Sequence, residues 1–225
     1  MTKVFRRYLF LILLLTGGSV LAQPLAEARQ LAADRKYGNA IELYKTLYSQ
    51  SPDTVYVEYY DVLMADKKYR DAEKLVEKQM TMRDEPVLLV DLGRVYFFDG
   101  RYTKATETFN KLLTRVNGDL IFTEKIVKAF VAAGLEDYAI AAYERTGMMI
   151  GASYYFNGPL ARLYANCDNL DKAIDQLLIT MPGLQVNEEN VKSGWMELLC
   201  DEPEKVRKAQ KAVLVKVNQQ PKNIH

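Results

Sequence analysis

The chain has 225 residues, 49% of them hydrophobic, with 30 basic and 29 acidic side chains. That length suits one or two globular domains or one short solenoid, and the near-balanced charge offers no field for nucleic acid. The single histidine is His225, the last residue, which excludes a histidine-based triad or metal cluster.

The first 22 residues have the layout of a secretory signal peptide. Lys3, Arg6 and Arg7 form a positive start, Tyr8 to Leu15 an apolar core, and Val20-Leu21-Ala22 a small-residue site for cleavage before Gln23. The apolar stretch is shorter than the roughly 20 residues that span a bilayer, so an uncleaved anchor is the lesser alternative. No cysteine follows the cleavage site, against a lipoprotein. An exported chain is expected, periplasmic or secreted, with no stable membrane span after cleavage.

From Gln23 onward the hydrophobic residues recur with helical period. The stretch from Pro86 to Gly118 shows the pattern best. Leu89, Leu92, Gly93 and Tyr96 lie on one helix face, Asp99-Gly100 stops the helix, and Tyr102, Ala105, Phe109 and Leu112 restart the period. Gly93 and Ala105 are the small residues expected where two helices approach closest. Ala105 has counterparts at Ala40, Ala72, Ala139 and Ala173, with spacings of 32, 33, 34 and 34 residues in chain order.

These positions predict five helix pairs over residues 23–183. The first has Tyr37, Ala40, Tyr44 and a closing Pro52. The second has Tyr69 and Ala72 but places Tyr59 and Tyr60 where a small residue is usual, which leaves its helix spacing open. The fourth has Phe130, Gly134, Ala139 and Tyr143, and the fifth Leu160, Ala161, Tyr164, Leu170 and Ala173. Between them Gly147 to Gly151 (GMMIG) predicts a longer or more mobile joint. A sixth, divergent pair is expected over residues 184–220. Its first helix would carry Val191, Trp195, Leu198 and Leu199. Its second would open at Asp201-Glu202-Pro203-Glu204 and carry Val206, Ala209, Val213 and Val217. Residues 221–225 form a tail.

The pattern Leu92-Gly93-x-x-Tyr96, Gly100-x-Tyr102-x-x-Ala105 and Phe109, at this period, resembles the tetratricopeptide repeat. The resemblance covers most of the chain after residue 23. It implies an all-α fold, a right-handed superhelical solenoid of antiparallel helix pairs, and a role in holding other proteins. A signal peptide before tyrosine-rich repeats is similar to exported tetratricopeptide proteins of Gram-negative bacteria. Because solenoids usually end in a polar capping helix and the final QQPKNIH resembles an internal boundary, the chain is expected to be the N-terminal part of a longer repeat protein, or to pair through its end.

In this family certain first-helix residues face a concave groove. Eleven places before each marker alanine stand Arg29, Asp61, Arg94, Lys128 and Arg162, four of five basic. Met64 and Phe97 lie three places further on, and Val87, Ile121 and Tyr155 seven places earlier. The predicted groove set is Arg29, Phe97, Arg94, Lys128, Tyr155 and Arg162. Cations flanked by apolar groups suit an acidic peptide, because Arg grips a carboxylate through two parallel hydrogen bonds. The alternative is that these are solvated or inter-helix ion-pair residues, each contributing under about 1 kcal/mol; Glu124, one turn before Lys128, could pair with it. The asparagines of the family's carboxylate clamp are not at these positions.

Tyr37, Tyr69, Tyr96, Tyr102 and Phe109 are expected to pack in the core. Cys167 and Cys200 fall 33 residues apart, in similar places of neighbouring pairs. Stacked helices lie about 8–10 Å apart, beyond the Cα separation of about 7 Å that a disulfide allows, so two buried free thiols are expected. No G-x-S-x-G, H-E-x-x-H or phosphate loop occurs. The expected function is a non-enzymatic interaction scaffold in the cell envelope, with no cofactor or metal and a protein or peptide partner. The alternative is a structural subunit of an envelope assembly, joined through its C-terminal end. The sequence carries no signal for an oligomeric state.

Overall fold

A computed structural model describes residues 19–178 and 202–219, and every regular element among them is a helix. In chain order these are α1 (Ser19–Ala33), α2 (Tyr37–Gln50), α3 (Pro52–Ala65), α4 (Tyr69–Met82), α5 (Leu88–Phe98), α6 (Tyr102–Thr114), α7 (Leu120–Ala132), α8 (Glu136–Met149), a 3-10 turn (Ser153–Phe156), α9 (Asn157–Asn166), α10 (Leu170–Leu178) and α11 (Pro203–Gln219). Helix α1 begins four residues ahead of Gln23, so it overlaps the end of the segment expected to be removed. Successive helices pair as the spacing predicts: α1 with α2, α3 with α4, α7 with α8, α9 with α10. Short turns make each pair antiparallel.

The marker alanines explain the period. Ala40, Ala72, Ala139 and Ala173 are fully buried, Ala105 is 2% exposed, and Ala209 of α11 is equally buried. A methyl group is what fits where two helix backbones approach. Twelve residues before each of the first five markers lies the first-helix counterpart: Ala28, Tyr60, Gly93, Val127 and Ala161, all buried. Tyr60 is the misfit foreseen in the second pair, and α3 and α4 touch along less of their length than the other pairs of complete helices described above.

Each of the five pairs turns the corner in the same way. The residue five places before the marker adopts a left-handed backbone: Arg35, Lys67, Gly100, Gly134 and Asp168, with φ between 56° and 77°. The next amide then donates back across the helix end, Lys36 to Leu31, Lys68 to Leu63, Arg101 to Tyr96, Leu135 to Phe130 and Asn169 to Tyr164, at 2.8–2.9 Å. This is a Schellman stop, which satisfies carbonyls otherwise left open at the helix end. Only two of the five turns use glycine.

The chain divides into two compact units, Met1–Thr108 and Phe109–His225, with the division inside α6. In the N-terminal unit the core runs through Tyr44, Leu47, Val55, Leu63, Leu75, Val76, Leu88 and Val95. In the C-terminal unit Phe109, Ile126, Phe130, Phe156 and Ile174 are among the most buried side chains, with Phe109, Phe130 and Tyr138 in mutual ring contact at 4.8–6.0 Å. Helix α7 starts at a side-chain cap: Asp119 Oδ1 accepts from the amides of Ile121 and Phe122 at 2.9 and 3.1 Å.

Three expectations need correction or placement. Tyr102 does not pack in the core: it stands at the first position of α6, 61% exposed, edge-on to Phe97. Cys167 is a free thiol, but exposed rather than buried, because it occupies the stop of α9 and not its packing face. Gly147 to Gly151 forms a continuation of α8 that stops at Ile150, followed by the 3-10 turn. Cys200, Trp195 and the first helix of the sixth pair lie outside the described residues; its second helix, α11, packs on α10.

Candidate functional site

The first helices of the N-terminal unit, α1, α3 and α5, are tied together by polar side chains. Arg29 of α1 donates through Nε and Nη2 to Glu58 of α3, at 2.9 and 2.6 Å. The Tyr44 hydroxyl adds a third bond to Glu58 at 2.9 Å. From α3, Tyr56 donates to the Asp91 carboxylate of α5 at 2.8 Å, and Tyr60 donates to the Asp91 carbonyl at 3.0 Å. The Arg94 guanidinium lies over the Tyr60 ring, 5.7 Å from its centroid, with its Nε buried and unbonded.

Helical spacing produces this arrangement. Glu58 and Asp61, and likewise Asp91 and Arg94, are three residues apart on their helices and so share a face. Sequence reasoning singled out Arg29, Asp61 and Arg94 but missed Glu58 and Asp91, fourteen places before their markers. The available signal was that each stands three residues before a predicted groove residue.

Electrostatics follow from the pairing. The Arg29 hydrogen bonds hold Glu58 below its ordinary range despite partial burial. Burial pushes Asp91 up to about 6, although the Tyr56 hydroxyl and Arg94 pull the other way. Asp61, though exposed, is partly desolvated by its neighbours and so also raised; Arg94 offsets part of that rise and Glu58 adds to it. The tyrosine hydroxyls that face carboxylates are raised, chiefly by burial.

Of the predicted groove residues in this unit, Arg29 is therefore an inter-helix ion-pair residue. Arg94 is half-buried beside two carboxylates, and Phe97 is 47% exposed against Phe98 and Tyr102. Val57 of α3, one turn before Asp61, is 63% exposed.

In the C-terminal unit the corresponding face is formed by α7 and α9. Lys128 and Arg162 are exposed. Glu124 is taken by the Tyr143 hydroxyl at 3.0 Å rather than by Lys128. Tyr164 of α9 donates to Glu144 of α8 at 2.5 Å. Tyr155 and Ile121 stand outward, with Ile121 83% exposed. A separate charged cluster lies on the second-helix side of the N-terminal unit. There Arg101 bonds Glu73 through two nitrogens and also pairs with Asp99 at 2.8 Å, so its charges are matched internally.

Among the described residues no group of His, Cys, Asp and Glu is placed to hold a metal ion, and no helix is long and apolar enough to cross a membrane. The buried alanine markers, the five identical helix stops and the short-turned pairs define an all-helical chain of repeated antiparallel helix pairs. No family model matches the sequence, and no curated protein does. Similar solved structures include TTC0263, a thermophilic TPR protein of Thermus thermophilus, at 15% identity over 87% of this chain and all of that one, with a TM-score of 0.41. The MamA protein is 15% identical over 83% of this chain and 97% of its own, with a TM-score of 0.39. YrrB, described as a TPR protein with an unusual peptide-binding site, is 14% identical over 89% and 97%, with a TM-score of 0.36.

Proposed function

We propose that the protein is a non-enzymatic scaffold that binds a partner protein segment on the first-helix faces, and that it works in the envelope of a Gram-negative cell after export. The observation that carries this is the set of large apolar side chains left exposed there: Val57 and Phe97 in the N-terminal unit, Ile121, Val131 and Tyr155 in the C-terminal unit. Each stands on a first helix or in the turn leading into one, and Phe97, Ile121 and Tyr155 hold places the repeat assigns to the groove. Exposed apolar side chains that recur at equivalent positions suit a binding surface better than scattered surface residues do. The export part rests on the N-terminal sequence alone.

In the C-terminal unit Lys128 is exposed on this face while Glu124 is held by Tyr143, which suits an acidic stretch of the partner. The first test is panning of a random peptide library on the purified protein, repeated with Phe97→Asp, Ile121→Asp and Tyr155→Asp variants of unchanged helicity. Peptides retained by the parent and lost by the variants are expected. Peptides retained equally by all would remove recognition from these faces.

A second reading, a structural subunit joined through its C-terminal end, is favoured by Leu214 and Val215 of α11, 62% and 48% exposed. It predicts association that is abolished by Leu214→Asp and indifferent to Lys128→Glu.

A further inference from the structure

We infer that the first-helix face of the N-terminal unit takes a partner segment anchored by a basic side chain between apolar residues, opposite in sign to the face of the C-terminal unit. The inference rests on the reading that these faces bind protein segments, and it names the chemistry of one of them.

The sequence pattern shows two arginines on this face: Arg29, exposed but already paired, and Arg94, half-buried. Arg29 has both its charge and its planar fork committed to Glu58, which Tyr44 holds from behind. A second carboxylate meets a guanidinium whose Nε and Nη2 are already held by Glu58 and whose charge is already matched. Arg94 lies over Tyr60, and its charge acts on both Asp61 and Asp91. The face thus holds three carboxylates, Glu58, Asp61 and Asp91, against two guanidiniums.

What remains uncommitted is negative. Glu58 is satisfied by Arg29, and Asp91 is turned inward to Tyr56. Asp61 is exposed and accepts no hydrogen bond from any described residue. The charge of Arg94 acts on Asp91 as well, and no ion pair ties it to Asp61. A lysine or arginine arriving at Asp61 supplies the missing positive charge, whereas an aspartate or glutamate meets like charge on both sides. The shoulders are apolar: Val57 stands one turn before Asp61 on α3, and Phe97 one turn beyond Arg94 on α5. Together they fit a segment of the form apolar–basic–apolar.

The test uses three fluorescein-labelled peptide pools with one leucine- and valine-rich frame and a randomised flank. Their centres are Lys or Arg, Asp or Glu, and Ser. Anisotropy is measured on the full chain, on Asp61→Asn, on Asp61→Lys, and on a Lys128→Glu/Arg162→Glu variant. The basic-centred pool is expected to bind the parent at least about tenfold more tightly than the serine pool, as one well-placed charge pair can supply. Asp61→Asn should remove most of that advantage and Asp61→Lys should reverse it, while the Lys128→Glu/Arg162→Glu variant keeps it. Basic-centred binding that ignores both Asp61 variants would overturn the proposal. Binding by all pools alike, abolished by Phe97→Asp, would also overturn it while leaving the binding face intact. Absence of any pool binding would sink both readings together.

Discussion

The Tyr48 hydroxyl on α2 donates to Gln79 Oε1 on α4 at 2.8 Å, a hydrogen bond between side chains that are both almost fully buried. Gln79 in turn donates through Nε2 to Asp53 of α3 at 3.1 Å. One amide therefore joins three helices from two neighbouring pairs. Removing it leaves a buried hydroxyl without an acceptor, which costs about 1–3 kcal/mol. Gln79→Leu is expected to lower the urea midpoint accordingly, and Tyr48→Phe combined with it to recover part of the loss. A double variant no more stable than Gln79→Leu would show that the hydroxyl does not carry the cost.

The left-handed turns give a prediction of opposite sign. Arg35 and Lys67 hold φ near 60°, where a side chain costs roughly 1 kcal/mol that glycine avoids. Lys67→Gly is expected to stabilise the fold by up to about 0.5 kcal/mol after the added freedom of the unfolded chain is counted. Gly100→Ala should destabilise it by a similar amount through the backbone alone, since a Cβ there meets nothing within 4 Å. Thermal unfolding of the two variants settles the sign.

The marker alanines predict intolerance to size. Ala139 is fully buried where α7 and α8 approach. Ala139→Leu should cost about 1–3 kcal/mol or more through overpacking, whereas Ala141→Leu, two residues along the same helix, should cost much less. Equal unfolding midpoints for both would show that Ala139 marks no close approach.

Asp91 makes stability depend on pH. Its folded value, about 6, stands above the ordinary 3.8, so the folded chain holds a proton that the unfolded chain has released between those limits. The buried carboxylate thus opposes folding above pH 6, and the opposition fades as pH falls toward 4. The difference between the two values corresponds to about 3 kcal/mol. Asp91→Asn should therefore raise the urea midpoint at pH 8 about three times as much as at pH 4.5. Glu58 and Glu73, held low by their arginines, lose their contribution only in more acidic solution. An equal effect at both pH values would contradict this assignment.

The repeat was legible in the sequence because it rests on volume: an alanine every 32–34 residues can be counted, and all five markers are buried. The second pair was legible even in its fault, since Tyr60 is too large for the place it holds. Tyr102 misled because a family position says where a residue stands, while its exposure depends on what covers it. The candidate site was half legible. Arg29 and Arg94 are visible as cations, but whether a cation faces outward depends on a partner one helix away. Glu58 and Asp91 stand 29 and 3 residues from the arginines they accompany, and only folding brings Arg29 and Glu58 together.

Most of the tyrosine–acid bonds reach out of their own pair: Tyr44 to Glu58, Tyr56 to Asp91, Tyr164 to Glu144. Each pair is keyed to one particular neighbour, as a lock is cut for one key. Excising residues 51–83 would remove Glu58 and Tyr56 at once, stranding Tyr44 on one side of the junction and Asp91 on the other. The pairs resemble one another in length and packing, yet they cannot be shuffled, duplicated or dropped as interchangeable parts. Growth or loss of repeats in such a chain has to carry the neighbouring keys along with it.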